Sequence, residues 1–161
     1  MINLNKILQE SVLQPLNKLF VYGTLKKGFS NYNRFIAPYP HTVIEVMVPR
    51  LGAMYSMGAF PIVSTNVPVK RTIYGDLIIF DSKLAPRVLD NIMRNIDMLE
   101  AYLYEKTVLP NYSILNVKTR EKYNFRAYTY IAPARGAQHI RDNDLPEIQS
   151  GKWEKGNNDW L

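Results

Sequence analysis

One long stretch of this chain, Asp81 to about Glu100, repeats its apolar residues with a helical period, and runs of β-forming sequence flank it on both sides. Leu89, Met93 and Ile96 return to one helical face, with Ile92 beside them. Asp81 or Ser82 can cap such a helix, and Pro86 is tolerated only in its first turn. Strands are predicted at Leu19–Tyr22, Val43–Val48, near Ala53–Tyr55, at Arg71–Phe80, Tyr112–Lys118 and Asn124–Ile131, the last two around the polar turn "TREKYN". Gly75 interrupts "IYGDLIIF", as a bulge or a close backbone approach requires. Residues 2–14 carry a shorter helical pattern that Pro15 ends. Many strands around one main helix predict an α+β fold: a curled, mostly antiparallel sheet or small barrel, with short flanking helices.

Composition removes several classes of function. The 161 residues suffice for one domain with a real core. Without cysteine, neither disulfides nor thiolate metal sites can form, and a cytoplasmic location is expected. The only histidines, His41 and His139, are far apart, and no Asp/Glu cluster has ligand spacing, so no metal is expected. No apolar run approaches the roughly 18 residues of a membrane span, and the N-terminus lacks a signal-like apolar region. The formal charge of +6 is scattered rather than clustered. It reads as a solvated surface that suits a small anionic substrate, with no nucleic-acid partner expected.

The helical phase makes Glu100 the most informative residue. It follows Ile96 by four positions, Met93 by seven and Leu89 by eleven. If the helix reaches it, Glu100 points along the apolar stripe, where burial raises a carboxyl pKa toward the range useful for proton transfer. If the helix ends at Leu99, Glu100 belongs to a surface loop or caps a backbone group.

A second feature is "LFVYGTLKKG", Leu19 to Gly28, where a strand delivers Tyr22 to a turn at Gly23. Gly23 is expected to adopt backbone angles that other residues resist, and Lys26 to face solvent beyond the turn. Successive N–H groups in such a turn can converge on an anion. The alternative is a strand-to-loop turn without a ligand. The spacing matches neither a P-loop nor a dinucleotide fingerprint.

Taken in order, these segments resemble the γ-glutamylcyclotransferase superfamily, specifically its γ-glutamylamine cyclotransferase-like branch. "LFVYGTLKKGFSN" is similar to its opening strand and substrate loop, "LGAMYSMGAFPIV" to its glycine-aromatic strand, and "IYGDLIIFD" to a following core strand. "NIDMLEAY" resembles the segment whose glutamate is the acid/base, "RAYTYIA" a late strand with a tyrosine near the pocket, and "SGKW" a common ending. The resemblance runs from about Leu19 to Trp153. It divides the chain into an N-terminal extension (1–17, helical), a cyclotransferase-like domain (18–134) and a polar, partly docked C-terminal tail (135–161). Ala101, Asp76, Ile96 and Lys106 depart from the family pattern, Lys106 standing where arginine is more common.

The resemblance implies a cofactor-independent enzyme that closes the α-amino group of a small γ-glutamyl substrate onto its own γ-carbonyl. The products are 5-oxoproline and a free amine. It implies Glu100 as catalytic acid/base, and Tyr22, Gly23, Thr24, Leu25 and Tyr128 as substrate-binding residues. Asp97 is a supporting candidate. The alternative is a catalytically altered small-ligand-binding protein of the same fold. Neither oligomeric state nor the choice among γ-glutamyl amines and peptides follows from these residues.

Overall fold

In the computed structural model, which describes residues 16–154, alternate side chains of the first strand serve two different cores. Strand β1 (Lys18–Val21) sends Leu19 and Val21 into one cluster and Phe20 into the other, together with the following Tyr22. This period of two, with apolar residues on both faces, marks a strand buried on each side. Helix α1 (Ser30–Phe35), β2 (His41–Ser56), β3 (Pro61–Ser64) and β4 (Arg71–Phe80) follow. Helix α2 (Pro86–Glu100), β5 (Glu105–Leu109), β6 (Leu115–Asn116), β7 (Ala127–Ile131) and α3 (Ala134–Asp142) complete the order.

The fold is α+β. Seven strands form one curled sheet in the order β3-β2-β4-β1-β7-β5, with β6 paired to β2. Every pairing is antiparallel except β1 with β7. The sheet stops short of a closed barrel, since the ends of its path, β3 and β5, do not pair. One backbone bond, from the Ala132 N–H to the Val63 carbonyl (2.8 Å), draws the end of β7 toward β3.

Helix α2 buries Leu89, Ile92, Met93 and Ile96 against Leu19, Val21, Ile78 and Phe80. Burial of each such side chain contributes roughly 1.5–3 kcal/mol, so a charge at Ile96 would undo the docking. The helix begins later than its sequence suggests. Ala85 is extended and Pro86 occupies the first turn, because a residue before proline avoids the α region. Asp81 instead organises the preceding turn by accepting from the Lys83 N–H (2.8 Å).

Other differences have equally local causes. The two strands expected at Val43–Val48 and Ala53–Tyr55 are one strand, β2, with an irregularity between Val48 and Gly52 and Arg50 at φ 54°. Gly52 is needed there, because a Cβ would lie 2.1 Å from the Ser64 carbonyl oxygen. Of the strand expected at Tyr112–Lys118, only Leu115–Asn116 is in a ladder, and Tyr112 has φ 64°. Strands β3 and β5 and helix α1 lie in stretches too short or too mixed in composition to carry a clear period. The helix expected at residues 2–14 lies outside the described residues.

The polar stretch after Ala132 carries helix α3, and its last described residues run along the sheet. Ile148 N–H bonds the Met54 carbonyl (2.7 Å) and Tyr74 N–H the Gly151 carbonyl (2.9 Å). Gly151 has φ 70° and approaches the Thr72 carbonyl so closely that a Cβ would lie 2.0 Å from its oxygen. Trp153 is fully buried in the second core. Among the described residues, no helix is long and apolar enough to cross a membrane.

Candidate active site

A cavity of about 300 Å³ opens where the end of β1, the end of α2 and the β2–β3 turn meet. Tyr22, Gly23, Thr24 and Leu25 line one side, Glu100, Leu103 and Tyr104 another, and Tyr130 and Pro61 complete the interior. Four of the five substrate-binding candidates and the acid/base candidate therefore share one space. Tyr128 is not among the lining residues. It sits two positions along β7, with the Lys106 ammonium 4.1 Å from its ring centroid. Two residues span roughly 6.6 Å along a strand, so Tyr130, on the same face, is the β7 tyrosine at the cavity.

Glu100 is the last residue of α2. Its backbone carbonyl accepts from the N–H groups of Leu103 (3.1 Å) and Tyr104 (2.9 Å), so the chain folds back over the carboxyl group. No hydrogen bond or ion pair holds the side chain among the described residues. Burial alone pushes its pKa up to about 7, because the apolar surroundings disfavour the charged form.

The tyrosines around it are already engaged. Tyr22 donates its hydroxyl hydrogen to the Tyr130 carbonyl (2.6 Å) and accepts from the Val63 N–H (3.3 Å). Tyr104 donates to the Pro61 carbonyl (2.6 Å), and Tyr130 donates to the Asp97 carboxylate. Burial, reinforced by the nearby Glu100 charge, moves all three phenols upward from their ordinary range. At neutral pH these tyrosines keep their protons and spend them on the protein. That leaves Glu100 as the lining side chain able to exchange a proton.

The loop after β1 supplies the complementary character. Its Gly23 carbonyl accepts from the Lys26 N–H (3.0 Å), while the N–H groups of Gly23, Thr24 and Leu25 donate to no acceptor among the described residues. Thr24 is steadied by Asn31 of α1, whose amide donates to the threonine hydroxyl (2.8 Å). Unsatisfied donors at a cavity wall suit an anionic oxygen. The expected unusual backbone angle at Gly23 does not occur: positive φ among these glycines is found at Gly28, Gly58 and Gly151. Gly23 instead sits in a tight space, where a Cβ would meet the Pro61 ring at 3.0 Å.

Lys26 does not face solvent. Its ammonium donates to the Trp153 carbonyl (2.5 Å), and the neighbouring Lys27 N–H donates to Asp76 (2.9 Å). The loop after β1 is thus tied at its far end to β4 and to the C-terminal segment. Lys106, the residue standing where arginine is more common, pairs with Asp97 (3.1 Å) outside the cavity. Sequence reasoning missed Tyr104 and Pro61 because one lies in the short connection after α2 and the other opens a four-residue strand, stretches too short to carry a period, and their partnership is visible only once the two meet.

The chain belongs to the gamma-glutamyl cyclotransferase, AIG2-like family, whose model matches residues 19–155. Solved structures with under 25% identity share the fold. An AIG2-like protein from Mus musculus is 14% identical with a TM-score of 0.58, over 86% of this chain and 88% of its own. A uropathogenic E. coli-specific protein, c4763, is 13% identical with a TM-score of 0.60, over 90% and 98%. YkqA from Bacillus subtilis is 21% identical with a TM-score of 0.54 over 85% of this chain, which spans only 39% of YkqA's length. No curated protein matches the sequence.

Proposed function

We propose that this chain is a γ-glutamyl cyclotransferase-type enzyme, releasing 5-oxoproline and a free amine from a small γ-glutamyl conjugate. The observation that carries the reading is Glu100: a half-buried carboxyl whose pKa desolvation pushes up to about 7, in a cavity whose tyrosine protons are already committed.

The glutamyl unit binds with its anionic oxygens toward the free N–H groups of Gly23, Thr24 and Leu25. Ionised Glu100 takes a proton from the α-ammonium group. The freed nitrogen attacks the γ-carbonyl carbon, and a C–N bond forms as the carbonyl π bond opens to an oxyanion. Protonated Glu100 then returns the proton to the departing nitrogen as the second C–N bond breaks. The ionised carboxylate takes the extra proton from the ring nitrogen and passes it to the released amine, which leaves as an ammonium ion. Proton count and charge are restored, and no external reactant is consumed. Holding nucleophile and electrophile within one curled molecule supplies the proximity, and fixed N–H donors stabilise the developing oxyanion. A pKa near neutrality lets one carboxyl serve as both base and acid.

The test incubates the protein with several γ-glutamyl amines and measures 5-oxoproline, with Glu100→Gln as the control. Release by the wild type and its loss in the variant is the expected result. No release from any conjugate overturns the reading.

A further inference from the structure

Resting on the proposed activity, we infer that Asp76, which lies outside the cavity, is a positioning residue for the reaction: its carboxylate fixes the loop whose free N–H groups receive the substrate. Asp76 belongs to β4, opposite Val21 of β1 and Glu45 of β2. Among the described residues it is the only acidic or basic side chain that is buried, at 8% exposure, and it does not line the cavity. Its Oδ2 accepts from the Lys27 N–H (2.9 Å). Among the described residues no other side chain accepts from a backbone N–H of residues 23–28.

A carboxylate so placed costs stability unless its charge is compensated. Burial pushes its pKa up, and the neighbouring Glu45 adds to the cost. The compensation comes from the Lys27 N–H and from the charges of Lys26 and Lys27, and all three belong to the loop after β1. The dependence is mutual. The Gly23–Lys26 turn is closed by the Lys26 N–H on the Gly23 carbonyl (3.0 Å). It is held at its start by Tyr22, whose hydroxyl bonds the Tyr130 carbonyl and the Val63 N–H, and at its end by Asp76. The free N–H groups of Gly23, Thr24 and Leu25 lie between these two anchors, and their direction is what the binding of an anionic oxygen requires. Loss of the Asp76 acceptor removes the loop's tie to β4. The Lys26 ammonium is a separate tie, to the Trp153 carbonyl, and holds a side chain rather than the backbone of the turn.

The experiment compares Asp76→Ala, which removes the acceptor, with Asp76→Asn, which keeps an acceptor oxygen and drops the charge. Kinetics use γ-glutamyl-ε-lysine and γ-glutamylalanine at a temperature where melts show each variant folded. KM should rise at least about tenfold in Asp76→Ala, with kcat changed less, and stay within about threefold in Asp76→Asn. Amide hydrogen exchange should accelerate across residues 23–28 in Asp76→Ala and stay unchanged in β1 and the rest of β4. A smaller rise in KM, or exchange that loosens β1 and β4 as much as the loop, overturns this inference and leaves the cyclotransferase reading standing. If Asp76→Ala does not fold, Asp76→Asn decides, and a KM beyond about threefold of the wild type overturns the role of the acceptor. If no γ-glutamyl conjugate is turned over, the cyclotransferase reading falls instead. Amide exchange then decides the positioning role, an unchanged rate across residues 23–28 in Asp76→Ala sinking it.

Discussion

Tyr130 donates its hydroxyl hydrogen to Asp97, a residue 33 positions earlier in the chain, while its ring lines the cavity that Glu100 also lines. Asp97 and Glu100 stand three residues apart on α2, so they occupy one face and bracket the phenol. The Lys106 ammonium lies against the same carboxylate, 3.1 Å from the oxygen that accepts from Tyr130 and 3.2 Å from the other. The phenol proton is thereby directed away from the substrate, and the tyrosine acts as wall and spacer. Tyr130→Phe should lower stability by about 1 kcal/mol, the usual net value of one hydrogen bond, and reduce turnover less than tenfold. Thermal melting and kcat measured together check this. A hundredfold fall in kcat with an unchanged melt would make the hydroxyl a participant in the chemistry.

Glu100→Gln keeps the shape of the side chain and cannot carry a proton at neutral pH. Cyclisation should fall by at least ~100-fold, the lower end expected for losing general acid–base catalysis. Asp97→Asn retains an acceptor for Tyr130 and loses only a partly exposed ion pair, so its loss should be far smaller. The comparison uses 5-oxoproline release by both folded variants. Near-normal release by Glu100→Gln would remove the carboxyl from the mechanism.

The same carboxyl has a pH signature with two opposite signs. Its pKa is about 7 when folded against an ordinary 4.5, so between these values the folded protein holds a proton that the unfolded chain releases. Stability linked to this group therefore declines as pH rises from about 4.5 to about 7, and the full cost is present above that range. Activity should move the other way, kcat/KM rising through pH 7 as the base ionises. Glu100→Gln should accordingly melt above the wild type at pH 8 and close to it at pH 5. Melts at the two pH values test this, and a wild-type advantage at pH 8 would contradict the desolvated, unpaired carboxyl.

Periodicity accounts for what is legible in the amino-acid sequence. The α2 stripe of Leu89, Ile92, Met93 and Ile96 determines where Glu100 points, since helical phase is a local property. The β1 loop is legible for a similar reason: a strand ends at a glycine that must lie close to something. What Gly23 lies close to is not legible, because Pro61 is brought beside it by strand pairing across 38 residues of sequence. Tyr128 and Tyr130 share a face of β7, and only the depth of the cavity along that strand distinguishes them. Lys26 reads as solvated because its acceptor, the Trp153 carbonyl, lies in a polar segment whose docking depends on one buried tryptophan.

That last contact separates two substitutions in the same loop. Gly23→Val places a branched side chain where even a Cβ meets Pro61 at 3.0 Å, and the strain falls on the wall of the cavity. The N–H groups of Gly23, Thr24 and Leu25 would be displaced, so KM should rise by about tenfold or more. Lys26→Ala leaves the cavity wall intact and removes the bond to the Trp153 carbonyl, together with the ammonium's position over the Phe29 ring (5.8 Å from its centroid). Its effect should be a lower melting temperature, with KM within about threefold of the wild type. Kinetics and thermal melts on the two purified variants decide the matter. If Lys26→Ala abolished binding while Gly23→Val preserved it, the anion would be held by the ammonium group and not by the backbone of the loop.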